Sequence, residues 1–273
     1  MTNSAFNIFI NKKYINVADR GFNFGDGVFE TILVKNKNPL YFSHHMARLK
    51  RGCGLLRLNI PSLKIFKMNA LKAISNKRDC ILKIYVTRGI SDQGYSFEKD
   101  IVPNIYFRRI DSLPSVTKIT GLKIAISSQK LLPNSFSSIK HMNRLDQSLF
   151  AHELNSLDKI DELLITDNHN NVIETISSNI FFANIKGSNM KFYTPEIGAS
   201  GIEGVMRRVV IDFLIKKKNK ITIKKISKQD LSKYDICFIT NSIKGIRFVR
   251  NIGKIKYQEP YSVLQYFERL IIK

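Results

Sequence analysis

The 273 residues are 44% hydrophobic, 10% aromatic and 24% charged, as in a soluble globular protein, and no apolar run nears the roughly 20 residues of a membrane-spanning helix. Lys+Arg 44 against Asp+Glu 22 gives a formal charge of +22, which suits a small anionic substrate; a nucleic-acid surface is a distant alternative, because the cations are spread through every segment. Cys53, Cys80 and Cys237 read as buried reduced thiols. With only His44 and His45 adjacent among histidines, no metal site is expected, and the opening MTNSAFNIFINKKY has no secretory pattern, so the expected location is cytoplasmic.

In chain order, FNIFINKKYI (6–15) reads as a strand with a turn, and VFETILVKNKNPLYF (28–42) as a strand pair broken by KNKNP. SHHMARLKRGCGLLRL (43–58) reads as a helix started by Ser43, with Met46, Leu49, Cys53 and Leu56 facing the core. ILKIYVTRG (81–89) and VPNIYFRRI (102–110) read as strands, and DSLPSVTKITG (111–121) loses periodicity. LKIAIS (122–127) reads as a strand and DELLITDNHNNVIETISSNIFFAN (161–184) as hairpin-like. The turn TPEIGASGIEG (194–204) runs into a helix striped by Val205, Val209 and Phe213 with Met206, Val210 and Leu214. Strand YDICFITNS (234–242) and a closing helix around Val263, Leu264, Phe267, Leu270 and Ile271 finish the chain. The layout is α+β in two parts: an N-terminal α/β domain (1–112), a linker (113–121) and a C-terminal domain (122–273).

Two features point to chemistry. In SSIKHMNRLDQSLF (137–150), Met142, Leu145, Leu149 and His152 share a helical face, which places Lys140 at or just before a helix's first turn, against the dipole. The small-residue turn GASGIEG before Val205 offers free amides and a positive helix end, a cradle for phosphate. Neither GxxxxGK[ST] nor GxGxxG is present, and a phosphate held without a nucleotide motif beside a reactive lysine points to pyridoxal 5'-phosphate. Glu174, between apolar neighbours in NVIETISSNIFF, is a candidate acid for the pyridine nitrogen, with a solvated edge-strand glutamate as the alternative.

DRGFNFGDGVFETI (19–32), HHMARL (44–49), IKHMNRLDQ (139–147), VIETISSNIFF (172–182) and GIEGVMR (201–207) resemble, in order and spacing, the fold-type IV pyridoxal-phosphate enzymes over nearly the whole chain. That family holds branched-chain aminotransferases, D-amino-acid aminotransferases and 4-amino-4-deoxychorismate lyases, and KHMNRLDQ looks most like the lyases. The resemblance implies a two-domain fold with a barrel-like sheet in the larger C-terminal domain, a homodimer, and conversion of 4-amino-4-deoxychorismate to p-aminobenzoate and pyruvate for folate synthesis. The alternative is a branched-chain or D-amino-acid aminotransferase. It further implies that Lys140 bonds the cofactor and moves protons, that Glu174 holds the pyridine nitrogen, and that Arg48 meets the phosphate. The Ile202 and Glu203 amides and a side chain from Asn241 or Ser242 would assist Arg48, and Thr31 would border the substrate. Where the lyases commonly carry arginine before Gly-Tyr this chain has Gln93; Arg88, Arg207, Arg247 and Lys244 are the possible replacements for a substrate-carboxylate contact.

Overall fold

The structure is a computed structural model describing residues 6–116, 119–187, 189–198 and 200–270. It divides into two compact units, Met1–Pro114 with Ile139–Arg144, and Ser115–Ser138 with Leu145–Lys273. Thr117 and Lys118 of the expected linker, Ala199 of the Gly-rich turn and Ile271 of the closing helix lie outside the described residues. Among the described residues no helix is long and apolar enough to cross a membrane.

The first unit runs β1 (Asn7–Ile10), α1 (Arg20–Phe24), β2 (Gly27–Lys35), β3 (Asn38–Pro39), α2 (Phe42–Leu55), α3 (Leu63–Ile74), β4 (Cys80–Thr87) and β5 (Asn104–Ile110), with sheet order β1-β5-β4-β2-β3. Asn36 and Lys37 join β2 to β3 with φ of 50° and 64°, the paired left-handed turn that matches hairpin twist. Alternation along β2 sends Val28, Ile32 and Val34 into a core with Met46, Leu49 and Cys53 of α2 and Phe66, Ala70 and Ile74 of α3. Each large side chain so buried contributes about 1.5–3 kcal/mol. Phe29 and Thr31 therefore lie on the other face of the sheet, opposite Tyr85 and Lys83 of β4.

Three points differ from the sequence reading. Ser43 does not start α2: Tyr41, at φ 52°, is the N-cap, and Ser43 lies within the first turn. Helix α3 is an additional element, with Phe66, Ala70, Ala73 and Ile74 buried at helical spacing. The third concerns Lys140. Helix α4 (Leu145–Asn155) begins five residues after it, Leu145 and Leu149 are exposed, and Phe150 is the buried residue. Met142 is not helical, because its amide donates to Gly27 O at 2.9 Å.

The second unit runs β6 (Leu122–Lys130), α4, β7 (Glu162–Thr166), β8 (Val172–Thr175), β9 (Asn179–Lys186), β10 (Asn189–Pro195), α5 (Val205–Lys216), β11 (Lys220–Lys224), β12 (Ile236–Asn241), β13 (Gly245–Ile252), β14 (Ile255–Lys256) and α6 (Tyr261–Tyr266). Its sheet has the order β11-β10-β9-β12-β13-β6-β7-β8, with β14 on β13. Phe181, Phe192, Phe238, Phe248 and Phe267 form one run of ring contacts, and Ile180, Phe182, Cys237, Ile239 and Leu122 belong to a separate core. Met206, Val210 and Leu214 of α5 are fully buried, as the apolar stripe requires.

Candidate active site

In the first unit, residues 140–142 run alongside the start of β2. Phe29 N donates to Lys140 O at 2.9 Å, and Val28 faces His141 in an antiparallel bridge. The main chain thus fixes the lysine, and its Nζ stands 4.4 Å from the centre of the Phe29 ring. Phe29 stacks on Tyr85 at 5.9 Å, and Lys83 Nζ lies 5.7 Å and 5.2 Å from those two ring centres. Two ammonium groups thus sit over one aromatic strip, next to Thr31, the cross-strand partner of Lys83. Burial, followed by the charges of Arg144 and Lys140, lowers the His141 pKa to about 4, so this neighbour of the lysine is neutral at pH 7.

Arg48, on the buried face of α2, is held by Glu30: Nε donates to Oε1 at 2.8 Å and Nη2 to Oε2 at 2.6 Å. His45 Nδ1 lies 2.6 Å from the same Oε2. Burial alone would raise the Glu30 carboxyl, but the Arg48 charge and the bonds from Arg48 and His45 outweigh it and hold the group at about 2. For His45 burial dominates and pushes the ring down, against the pull of Glu30. The result is an ionised carboxylate and guanidinium with a neutral imidazole, all with 6% exposure or less.

In the second unit Glu174, on β8, is 4% exposed. Its Oε2 accepts from Ile202 N at 3.0 Å and from Asn179 Nδ2 at 3.4 Å, while Asn179 Nδ2 also donates to Ile202 O at 2.9 Å. Glu203 N donates to Ser138 O at a long 3.3 Å. Glycine is required here: Gly201 has φ +88°, and a Cβ on it would lie 2.6 Å from Ile173 Cγ2 and 3.6 Å from Glu174 Oε2. A Cβ on Gly204 would collide with Asn179 Oδ1. Gly201→Ala is expected to cost about 1–2 kcal/mol of stability from the left-handed backbone alone, and an unchanged urea midpoint would contradict this.

The other residues named from sequence have structural partners. Asn241 Oδ1 accepts from Ile243 N and Lys244 N at 2.8 Å and 3.2 Å and Nδ2 donates to Ser177 O, which shapes the turn holding Ser242. Arg88 is fixed by Asp26 at 2.7 Å and 3.1 Å and by Leu56 O at 2.7 Å. Gln93 lies in the exposed loop whose carbonyls at Gly94, Tyr95 and Ser96 accept from Arg20. Arg207, 4% exposed, donates to Pro195 O at 3.0 Å, and Arg247, 8% exposed, lies 3.9 Å from Glu162. Glu30, His45, Lys83 and Asn179 were not named from sequence. The signal for Glu30 was there: a carboxylate on the strand face of Val28, Ile32 and Val34 needs a buried partner.

This architecture is that of a fold-type IV, aminotransferase-like protein. The chain matches the model of the amino-transferase class IV family over residues 27–252 and belongs to that family. It is 26% identical over 244 residues to the aminodeoxychorismate lyase of Vibrio harveyi, covering 88% of each chain. To the putative branched-chain-amino-acid aminotransferase of Methanocaldococcus jannaschii it is 27% identical over 251 residues, covering 88% of this chain and 85% of that one. The crystal structure of 4-amino-4-deoxychorismate lyase from Pseudomonas aeruginosa matches with a TM-score of 0.84 at 27% identity, covering 94% of this chain and 95% of that one.

Proposed function

We propose that the protein is a pyridoxal 5'-phosphate-dependent lyase that converts 4-amino-4-deoxychorismate to p-aminobenzoate and pyruvate, a step toward folate. The observation that carries this reading is the strip of Phe29 and Tyr85 with Lys83 and Lys140 above it, which suits a flat, anionic ring better than a branched aliphatic chain. The similarity to lyases at 26–27% identity supports it. Gln93, where lyases commonly have arginine, and the archaeal relative support the second reading, a branched-chain aminotransferase. Under either reading the protein is expected to be a cytoplasmic homodimer.

The residues fit the cofactor. Glu174 is a buried carboxylate whose two amide donors suit its ionised form, and Gly201 keeps the space before it clear of a Cβ. Glu174 would hold the ring nitrogen and Lys140 would carry the cofactor covalently. Arg48 is the cation assigned to the phosphate in the first unit; in the second unit the Glu203 amide, whose 3.3 Å bond to Ser138 O is readily exchanged, and the Asn241–Ser242 turn are the donors assigned to it, while the Ile202 amide is committed to Glu174. Pyridoxal phosphate, when bound, supplies an electrophilic carbon for the substrate amine and an electron-withdrawing ring.

Lys140 then acts as the base, removing the proton from the substrate carbon that bears nitrogen. The C–O bond on the neighbouring carbon breaks, the substrate ring becomes aromatic, and the departing enolpyruvate takes up at its methylene carbon the proton that Lys140 removed, becoming pyruvate. Thr31 borders the substrate, and Lys83 pairs with a carboxylate. Lys83→Ala is expected to raise KM about 10–100-fold, the loss of one charge-assisted hydrogen bond, with a smaller change in kcat; unchanged KM would remove Lys83 from the site. The reading itself is tested by supplying pyridoxal phosphate and 4-amino-4-deoxychorismate and following p-aminobenzoate and pyruvate together, beside branched-chain and D-amino-acid transamination. Equal release of both products with little transamination is expected. Transamination alone would replace the lyase with an aminotransferase.

A further inference from the structure

His45 is 1% exposed, and its two nitrogens are treated differently. Nδ1 lies 2.6 Å from Glu30 Oε2, whereas Nε2 is buried and has no hydrogen-bond partner among the described residues. An ionised carboxylate only accepts, so Nδ1 carries the ring proton and Nε2 presents a lone pair. A buried acceptor without a donor is unfavourable, which argues that the atom serves a bound group.

Charge identifies that group. The groups acting on the ring are Glu30 from β2, Arg48 from its own helix and Lys140 from the segment beside β2. Two donors of Arg48 are committed to Glu30, so the pair is nearly neutral toward anything that approaches. A phosphate dianion brought to Arg48 therefore meets a guanidinium already balanced by a carboxylate. The imidazole bonded to that carboxylate is the group that can add positive charge without moving, by accepting a proton at Nε2.

We propose that His45 belongs to the cofactor-phosphate site and that its Nε2 takes up one proton from solvent when the phosphate monoester binds at Arg48, becoming an N–H donor. This inference depends on the cofactor reading above. Burial keeps the free ring neutral near pH 7, and two nearby negative charges act in the opposite direction. Binding is then proton-linked: affinity falls as pH rises from the pKa of the free ring to that of the bound ring, by up to about tenfold per pH unit.

The test is calorimetric titration of pyridoxine 5'-phosphate, which has no aldehyde for Lys140, into the cofactor-free full chain between roughly pH 6.5 and 9. The ester is then largely dianionic, its second pKa being about 6. Buffers of different ionisation enthalpy count the protons. His45→Asn keeps a donor toward Glu30 and cannot titrate; it is expected to take up about one proton fewer and to lose the pH slope. Equal proton uptake by the two proteins overturns the inference while leaving the cofactor reading intact. If neither pyridoxine phosphate nor pyridoxal phosphate binds, both fall. Should the variant fail to fold, nitrogen NMR of the native protein decides: the Nε2 signal moves to its protonated position on binding, and an unmoved signal overturns the proposal.

Discussion

Lys140→Ala is expected to lower turnover by about 10²–10⁴-fold, the usual contribution of a positioned acid–base group, and further where covalent attachment is lost as well. The absorbance of the attached cofactor should disappear with it. The fold should not suffer: what anchors residues 140–142 is main chain, Lys140 O to Phe29 N and Met142 N to Gly27 O, and alanine keeps both bonds. The side chain contributes a cation over the Phe29 ring, worth about 0.5–1 kcal/mol at a partly exposed site. A large kinetic loss with a nearly unchanged unfolding midpoint is therefore the signature of a chemical role. Lys83→Ala, a lysine removed from the same strip, separates that role from mere loss of positive charge, because its effect should fall mainly on KM. Full turnover in Lys140→Ala would end the assignment of this segment to the active site.

The parts of this picture that were legible in the sequence are the local ones. Alternation marked β2, β4 and β5, and the stripe Met206, Val210, Leu214 marked α5, because each pattern is written in consecutive residues. Lys140 is recognisable by motif, but Met142, Leu145 and Leu149 imitate helical spacing around it, whereas the helix begins only at Leu145. What overrides that spacing is pairing with β2, more than a hundred residues earlier in the chain, and no local period encodes such a partner. A sequence likewise displays the charge of Arg88, Arg207 and Arg247 but not their neighbours Asp26, the Pro195 carbonyl and Glu162. Lys83, in turn, gained its meaning only from the register that sets it beside Thr31 and Phe29.

Glu30→Gln is expected to destabilise the protein by about 3–5 kcal/mol at pH 7, the usual result of removing one partner from a buried ion pair. Glutamine fills the same volume and still offers an oxygen to His45, so the loss isolates the charge facing Arg48, whose guanidinium is only 6% exposed. The pH dependence follows from the sign of the shift. Glu30 is held at about 2 against an ordinary 4.5, so its contribution is fully present above about pH 4.5 and is lost as pH falls toward 2. The stability gap between the native protein and Glu30→Gln should accordingly narrow across that window and be constant from pH 5 to 8. Urea unfolding at several pH values measures it directly. A second comparison separates the pair from the carboxylate alone: Glu30→Gln with Arg48→Met removes both charges, and should recover most of the loss, since an apolar replacement of a buried pair is often neutral. If the double variant were as unstable as the single one, the destabilisation would lie in the packing of β2 against α2 and not in an uncompensated guanidinium. A protein that tolerated Glu30→Gln at pH 7 with no change would show that Arg48 finds its compensation elsewhere, and the balanced arrangement of Glu30, Arg48 and His45 would have to be abandoned.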